Sequence, residues 1–286
     1  IIQFGRKLNL NYINEEFILN DKSNFIVKWY LNIPPPLSTS TSTTSTSSTT
    51  TKNTKNSENK KDLKICVFIP GLGSLSTDNY VTSFVNYFAE NGYYCAVITH
   101  RGYESPLNTH KVWYPAITDD TVHFLEHISS KYPHASIFLA GYSAGSNIIQ
   151  NTLLRLDSSN SKIKISGVFC GCINWCYSTT LKRLEKSGSI SGFFYSLLLT
   201  FQIKKILSNS FHHIEAHHGK DAVQSLSESK LISDIDRATR KIYGFQSEAE
   251  MYSSYSGLKN YFHHTVKSSS LYINNSNHNH NNNNNN

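Results

Sequence analysis

The sequence predicts an α/β fold in which a mostly parallel sheet carries helices on both faces and a helical lid follows. Three observations predict it. Short apolar runs at 63–69, 94–99, 136–140 and 163–169 alternate with amphipathic stretches. That alternation is the pattern of a parallel sheet covered on both sides. The run Ile137-Phe138-Leu139-Ala140 leads directly into Gly141-Tyr142-Ser143-Ala144-Gly145 and then into an apolar-periodic helix, the strand–turn–helix setting of a Gly-x-Ser-x-Gly elbow. After Gly171 the alternation stops, and 178–262 reads as consecutive helices.

Taken in order, 12–19 and 25–31 alternate as two strands about the polar turn Asn20-Asp21-Lys22-Ser23, forming an N-terminal hairpin within 1–37 that ends at Pro34-Pro35-Pro36. Residues 38–60 are Ser, Thr, Asn and Lys with almost no apolar residue; they are expected to be a disordered insertion. The core is expected over 61–171. Leu63–Ile69 is a buried strand, Pro70-Gly71-Leu72-Gly73-Ser74 a tight loop, and a helix from about Asp78 puts Tyr80, Phe84, Val85 and Phe88 on one face before Asn91-Gly92 caps it. Tyr94–Thr99 is a strand ending in His100-Arg101-Gly102. A helix over 116–131 turns Val122, Leu125 and Ile128 inward, 144–156 is the helix leaving the elbow, and Ile163–Phe169 is the next strand. The lid is placed at 172–245, with helices at about 178–187, 190–208, 212–230 and 234–242. Residues 246–273 are read as the start of an incomplete C-terminal core segment, and the Asn-rich tail 274–286 as disordered.

The chain has 286 residues, of which roughly 210 to 230 remain as foldable sequence once the low-complexity tracts are set aside, enough for one domain. The formal net charge is +7, but outside the 52–64 linker the Lys and Arg residues are scattered, so no nucleic-acid partner is read from it. Five cysteines, at 66, 95, 170, 172 and 176, lie in or beside apolar runs without a Cys-x-x-Cys pair; buried free thiols in a reducing intracellular compartment are expected. The only methionine is Met251, so a fragment or processed N-terminus is expected, with room for an upstream anchor. There is no run of about 18 apolar residues to span a membrane.

A nucleophilic serine requires a base to take its proton, a carboxylate to orient the base, and donors for the oxyanion. Ser143 is the candidate catalytic residue. The backbone N–H of Ala144, next in the chain, and that of Leu72 in the glycine-rich loop are the candidate oxyanion-hole donors. Gly71, His100 and Tyr142 are expected to line the site, which forms at C-terminal strand ends of such a sheet. Base and acid have no obvious candidates. Asp221, Asp234 and Asp236 fall in helical stretches, His263-His264 follow a helical stretch without sheet context, and His278 and His280 sit in the Asn tract. His212-His213 and His217-His218 have the i, i+4 spacing of metal ligands. No acidic or Cys set accompanies them and Glu215 does not complete a His-Glu-x-x-His, so they are read as a polar helix face. No metal ligand and no cofactor is assigned.

The combination Pro70-Gly71-Leu72, Tyr80-Val81, Asn91-Gly92-Tyr93, His100-Arg101-Gly102, Asp119-Asp120 and Gly141-Tyr142-Ser143-Ala144-Gly145-Ser146-Asn147 resembles the α/β-hydrolase-domain lipases. Ile235-Asp236-Arg237-Ala238-Thr239, Tyr243-Gly244-Phe245 and Met251-Tyr252 resemble the same family's segment before its last strands. The resemblance implies an α/β-hydrolase fold, a lipid-ester substrate of acylglycerol or phospholipid type, membrane-surface contact and Ser143 as nucleophile. It places the acid and histidine in two strand–loop units after about residue 260. No such pattern is present, so the last strands are expected to be missing and the chain by itself to turn over little ester. The alternatives are a non-catalytic lipid-binding or interaction relative, or an incomplete gene product.

Overall fold

The computed structural model describes residues 8–30, 63–186 and 190–257. The expected disordered segments 38–60 and 274–286 lie outside the described residues, as do His263, His264 and the tail histidines.

Among the described residues six strands form one sheet: β1 (Tyr12–Ile18), β2 (Asn24–Tyr30), β3 (Lys64–Ile69), β4 (Tyr94–Ile98), β5 (Ser136–Tyr142) and β6 (Ile165–Gly171), in the spatial order β1-β2-β4-β3-β5-β6. The hairpin β1–β2 is antiparallel and joins the sheet antiparallel to β4, whereas β4, β3, β5 and β6 are mutually parallel. The order follows from the sequence pattern. β3 is Cys66-Val67-Phe68-Ile69 with every one of these side chains buried, as a central parallel strand needs on both faces.

Helices cover both faces. α2 (Asp119–Lys131) and α3 (Ala144–Ser158) bury Phe124, Leu125, Ile128, Ile148 and Ile149 against Ile65, Val67, Ile69, Ile137 and Leu139. α1 (Asn79–Glu90) takes the opposite face, packing Val81 and Val85 on Cys66, Phe68, Val97 and Ala140. Burial of each such side chain contributes about 1.5–3 kcal/mol.

Beyond β6 the described residues form six helices: α4 (Tyr177–Lys186), α5 (Ile190–Ser208), α6 (Phe211–His218), α7 (Lys220–Glu228), α8 (Ile232–Thr239) and α9 (Glu248–Tyr255). The single helix expected over 212–230 is two, because Gly219 takes φ 84° and ends α6 there. α9 falls within 178–262, read as helical, and its packing on α3 joins the start of 246–273 to the core. Ser247 caps it by accepting the Glu250 N–H, and Asn147 and Asn151 of α3 donate to the carbonyls of Tyr255 and Ser254. An apolar cluster joins the cap to the segment between β4 and α2: Leu107 and Val112 meet Ile203, Leu207, Ile214, Leu226 and Ile235, with Leu72 packed against it and against the sheet core as well.

Two composition-based expectations change. α5 is long and apolar enough to cross a membrane by length and composition, although no unbroken apolar run marks it: Gln202, Lys204 and Lys205 interrupt the pattern. All five cysteines are free. Cys66 and Cys95 are buried, but Cys172 is exposed and Cys170 and Cys176 are half-buried, because β6 and the turn after it lie at the edge of the sheet.

Candidate active site

Ser143 stands between β5 and α3 at φ 54°, ψ −120°. That backbone conformation costs an L-residue of order 1–3 kcal/mol and persists only where the surroundings impose it. Here the Ser143 N–H donates to the Gly171 carbonyl at 2.8 Å, and its own carbonyl accepts the Ser146 N–H at 3.0 Å. The buried Ser146 hydroxyl lies 2.9 Å from the Gly141 carbonyl and 2.8 Å from that of Gly171, joining β5, β6 and α3 beneath the turn.

The two glycines of the motif are there because backbone fills their side-chain space. A Cβ on Gly145 would lie 2.0 Å from the carbonyl oxygen of Ile69 and 2.6 Å from that of Pro70. A Cβ on Gly141 would lie 2.7 Å from the carbonyl carbon of Gly145. The end of β3, the end of β5 and the first turn of α3 are thus in direct backbone contact. This brings the 70–73 loop to the serine: the position a Cβ would take on Gly71 is 3.4 Å from Ser143 Cβ and 3.3 Å from the Tyr142 carbonyl oxygen.

The Gly71 N–H is already used, donating to the Tyr80 hydroxyl at 2.9 Å. Among the described residues no hydrogen bond takes the N–H of Leu72 or of Ala144. Ala144 opens the first turn of a helix whose N–H groups favour negative charge.

His100 lies beneath the loop rather than on an open wall. It is 3 % exposed, its Nε2–H donates to the Pro70 carbonyl at 3.0 Å, and its ring packs on Trp113. Burial pushes the imidazole down to about 4, against the opposing pull of its backbone contacts at Pro70 and Gly71. Tyr142 is exposed, with its ring on Tyr80 and its hydroxyl 3.0 Å from Cys172 Sγ.

Two supports went unread in the sequence. The Tyr103 hydroxyl accepts the Gly73 N–H at 3.4 Å, and the Glu104 carboxylate accepts the N–H and hydroxyl of Ser76 at 2.7 and 2.9 Å. With His100 they make 100–104 a splint along 70–76. The only signal was their adjacency to His100-Arg101-Gly102. Arg101 itself points away, into a buried bidentate pair with Asp120 at the start of α2.

A small cavity of ≈ 30 Å³ lies between core and cap, with Leu72, Tyr103, Trp113, Tyr177, Asp236 and Tyr243 on its wall. Its size suits about one water, not an acyl chain. Asp236 is buried there, Oδ2 has no partner among the described residues, and desolvation pushes its carboxyl up to about 8, opposed by the Tyr177 hydroxyl. Among the described residues no histidine is hydrogen-bonded to Ser143.

Residues 60–233 match the family described as serine aminopeptidase, S33. The chain is 27 % identical over 213 residues to abhydrolase domain-containing protein 2 of Drosophila melanogaster, covering 72 % of this chain and 52 % of that protein. It is 25 % identical over 210 residues to monoacylglycerol lipase ABHD2 of Homo sapiens, covering 69 % and 48 %. With phospholipase ABHD3 of Homo sapiens the identity is 25 % over 189 residues, covering 65 % and 44 %. The chain thus spans about half the length of these relatives.

Proposed function

The chain belongs to the serine aminopeptidase S33 hydrolase family and has its α/β-hydrolase fold, and from that premise we propose that it is the nucleophile-bearing part of a lipid-ester hydrolase in which Ser143 attacks the ester carbonyl. The observation that carries the reading is the strained backbone of Ser143 held against the 70–73 loop. Ser143 Oγ adds to the carbonyl carbon and its proton passes to a base. The carbonyl oxygen becomes an oxyanion held by the N–H groups of Leu72 and Ala144. Collapse expels the alcohol, which takes the proton, and leaves an acyl-serine that water hydrolyses. Preorganised donors of this kind contribute about 10²–10³ in rate each.

The relatives named monoacylglycerol lipase and phospholipase support an acylglycerol or phospholipid as substrate. The base and its orienting carboxylate lie outside the described residues, and His263 and His264 are the first histidines there to substitute. The exposed aromatic face of α5, with Phe193, Phe194 and Phe201, is the candidate surface for membrane contact.

A second reading, lipid binding without turnover, is favoured by the lack of a base hydrogen-bonded to Ser143 among the described residues. Hydrolysis of a mono-oleoylglycerol dispersion and labelling by a fluorophosphonate separate the two. The enzyme reading expects both wherever a base reaches Ser143, each abolished by Ser143→Ala, and little turnover from the chain without one. Losing the base alone would lower turnover by roughly 10⁴- to 10⁶-fold. Turnover that survives Ser143→Ala removes the enzyme assignment, and lipid binding with no Ser143-dependent labelling establishes the second reading.

A further inference from the structure

Three imidazoles meet away from Ser143, and none of the site chemistry uses them. His110 lies in the segment between β4 and α2, and His217 and His218 close α6 in the cap. Their ligand nitrogens all lie within 4.8 Å of one another. The rings of His110 and His217 stack at 3.5 Å between centroids and 4° between planes, and that of His218 stands across His110 at 5.2 Å and 72°. We propose that His110, His217 and His218 form a binding site for a divalent transition-metal ion of the zinc class, clamping cap helix α6 to the segment that follows β4.

Packing fixes the arrangement. Leu107 and Val112 flank His110 in sequence and are buried with Ile214, which sits one turn before His217 and His218 on α6. The apolar cluster thus sets the two elements in place, and the imidazoles project from its rim. Ligands held by a rigid shell need little reorganisation on binding. The Nε2 of His218 is buried without a hydrogen-bond partner among the described residues. Such an atom is costly when left unsatisfied, and a metal ion would satisfy it.

The donor set selects the ion. Three neutral imidazoles and no carboxylate suit zinc, cobalt, nickel or copper, not calcium or magnesium, which need oxygen ligands. A tetrahedral ion with bonds of 2.0–2.1 Å would bring its nitrogens to about 3.3 Å apart, with water as fourth ligand. Stacked rings cannot both aim in-plane lone pairs at one ion, so binding requires His217, the exposed member, to rotate out of its stack on His110. The i, i+4 pairing visible in the sequence is not the one used: His212 and His213 pack on each other instead. His110, more than a hundred residues earlier, completes the set.

The test uses the full chain without an affinity tag, stripped by a chelator and titrated with Co²⁺ and Zn²⁺. One equivalent of Co²⁺ should bind with a visible absorption band and be displaced by Zn²⁺, at a dissociation constant of about 10 μM or tighter, and Zn²⁺ should raise the thermal midpoint. His217→Ala, at an exposed position, should weaken binding at least about tenfold, and His110→Ala likewise. His212→Ala with His213→Ala should change nothing. The proposal is overturned if no saturable binding occurs below about 1 mM, or if binding survives His217→Ala and is lost when His278 and His280 are replaced.

Discussion

The Nε2–H of His100 donates to the carbonyl oxygen of Pro70 at 3.0 Å, so the strand end after β4 holds the loop that follows β3. A donor role fixes the tautomer, and burial keeps the ring neutral, at about 4 against an ordinary 6.5. Protonation therefore favours the unfolded chain. Stability from the neutral ring is fully present above pH 6.5 and is lost as the pH falls from there towards 4, by on the order of 3 kcal/mol in all. A His100→Gln variant keeps an N–H donor and does not titrate. The difference in urea-unfolding free energy between the two proteins should change by about that amount between pH 7 and pH 4. Asp236 titrates in both proteins and cancels in the difference. Parallel curves across that range would rule the account out.

Gly145 predicts a different scale of effect. A methyl group there meets two backbone carbonyls that cannot swing aside, the nearer at 2.0 Å. Gly145→Ala should cost about 3 kcal/mol or more, or prevent folding. Gly92, at φ 82° with open space around it, is the control. Gly92→Ala should cost only the left-handed backbone term, about 1–2 kcal/mol. Equal losses in chemical denaturation would show that the close approach beneath Ser143 is not what the motif glycine serves.

These two cases mark how far the sequence could be read. Strands and helices over 63–171 were legible because their periodicities are clean and their ends carry Gly, Asn or Pro. The elbow was legible because five residues joined a strand to a helix. The cap was harder. Gly219 reads through as helix, but its positive φ ends α6 there, and α9, inside the stretch read as helical to 262, has too little apolar periodicity to be placed as a separate element. The splint made by His100, Tyr103 and Glu104 and the meeting of His110 with α6 depend on three-dimensional proximity, which no local pattern encodes.

Ser143 stores strain that glycine would release. At φ 54°, ψ −120° an L-residue loses about 1–3 kcal/mol, partly offset in a glycine variant by the entropy of a freer unfolded chain, about 0.5–1 kcal/mol. Ser143→Gly should thus raise stability by about 1 kcal/mol, while Ser143→Ala, which keeps the Cβ, should not. Both should lose fluorophosphonate labelling. The comparison needs only equilibrium unfolding and labelling gels, and a glycine variant less stable than the alanine one would contradict the strain assignment.

α5 buries small residues together with some of its aliphatic ones and turns its phenylalanines outward. Gly192, Ser196 and Thr200 join Leu199, Ile203 and Leu207 on the buried stripe, whereas Phe194 is 58 % and Phe201 68 % exposed. A helix that is apolar all round normally has a second apolar phase on its free side. For a cap over a lipid-ester site that phase would be the membrane surface carrying the substrate. Each phenylalanine that inserts contributes about 1.5–3 kcal/mol, so replacing both by serine should weaken binding to phosphatidylcholine vesicles by at least roughly 100-fold. Because both side chains already face solvent, the melting temperature should hold within about 2 °C. Neutral vesicles isolate the apolar contribution from the net positive charge of the chain, which would add attraction only to anionic lipid. Equal co-sedimentation of wild type and the double variant would assign the α5 face to something other than lipid.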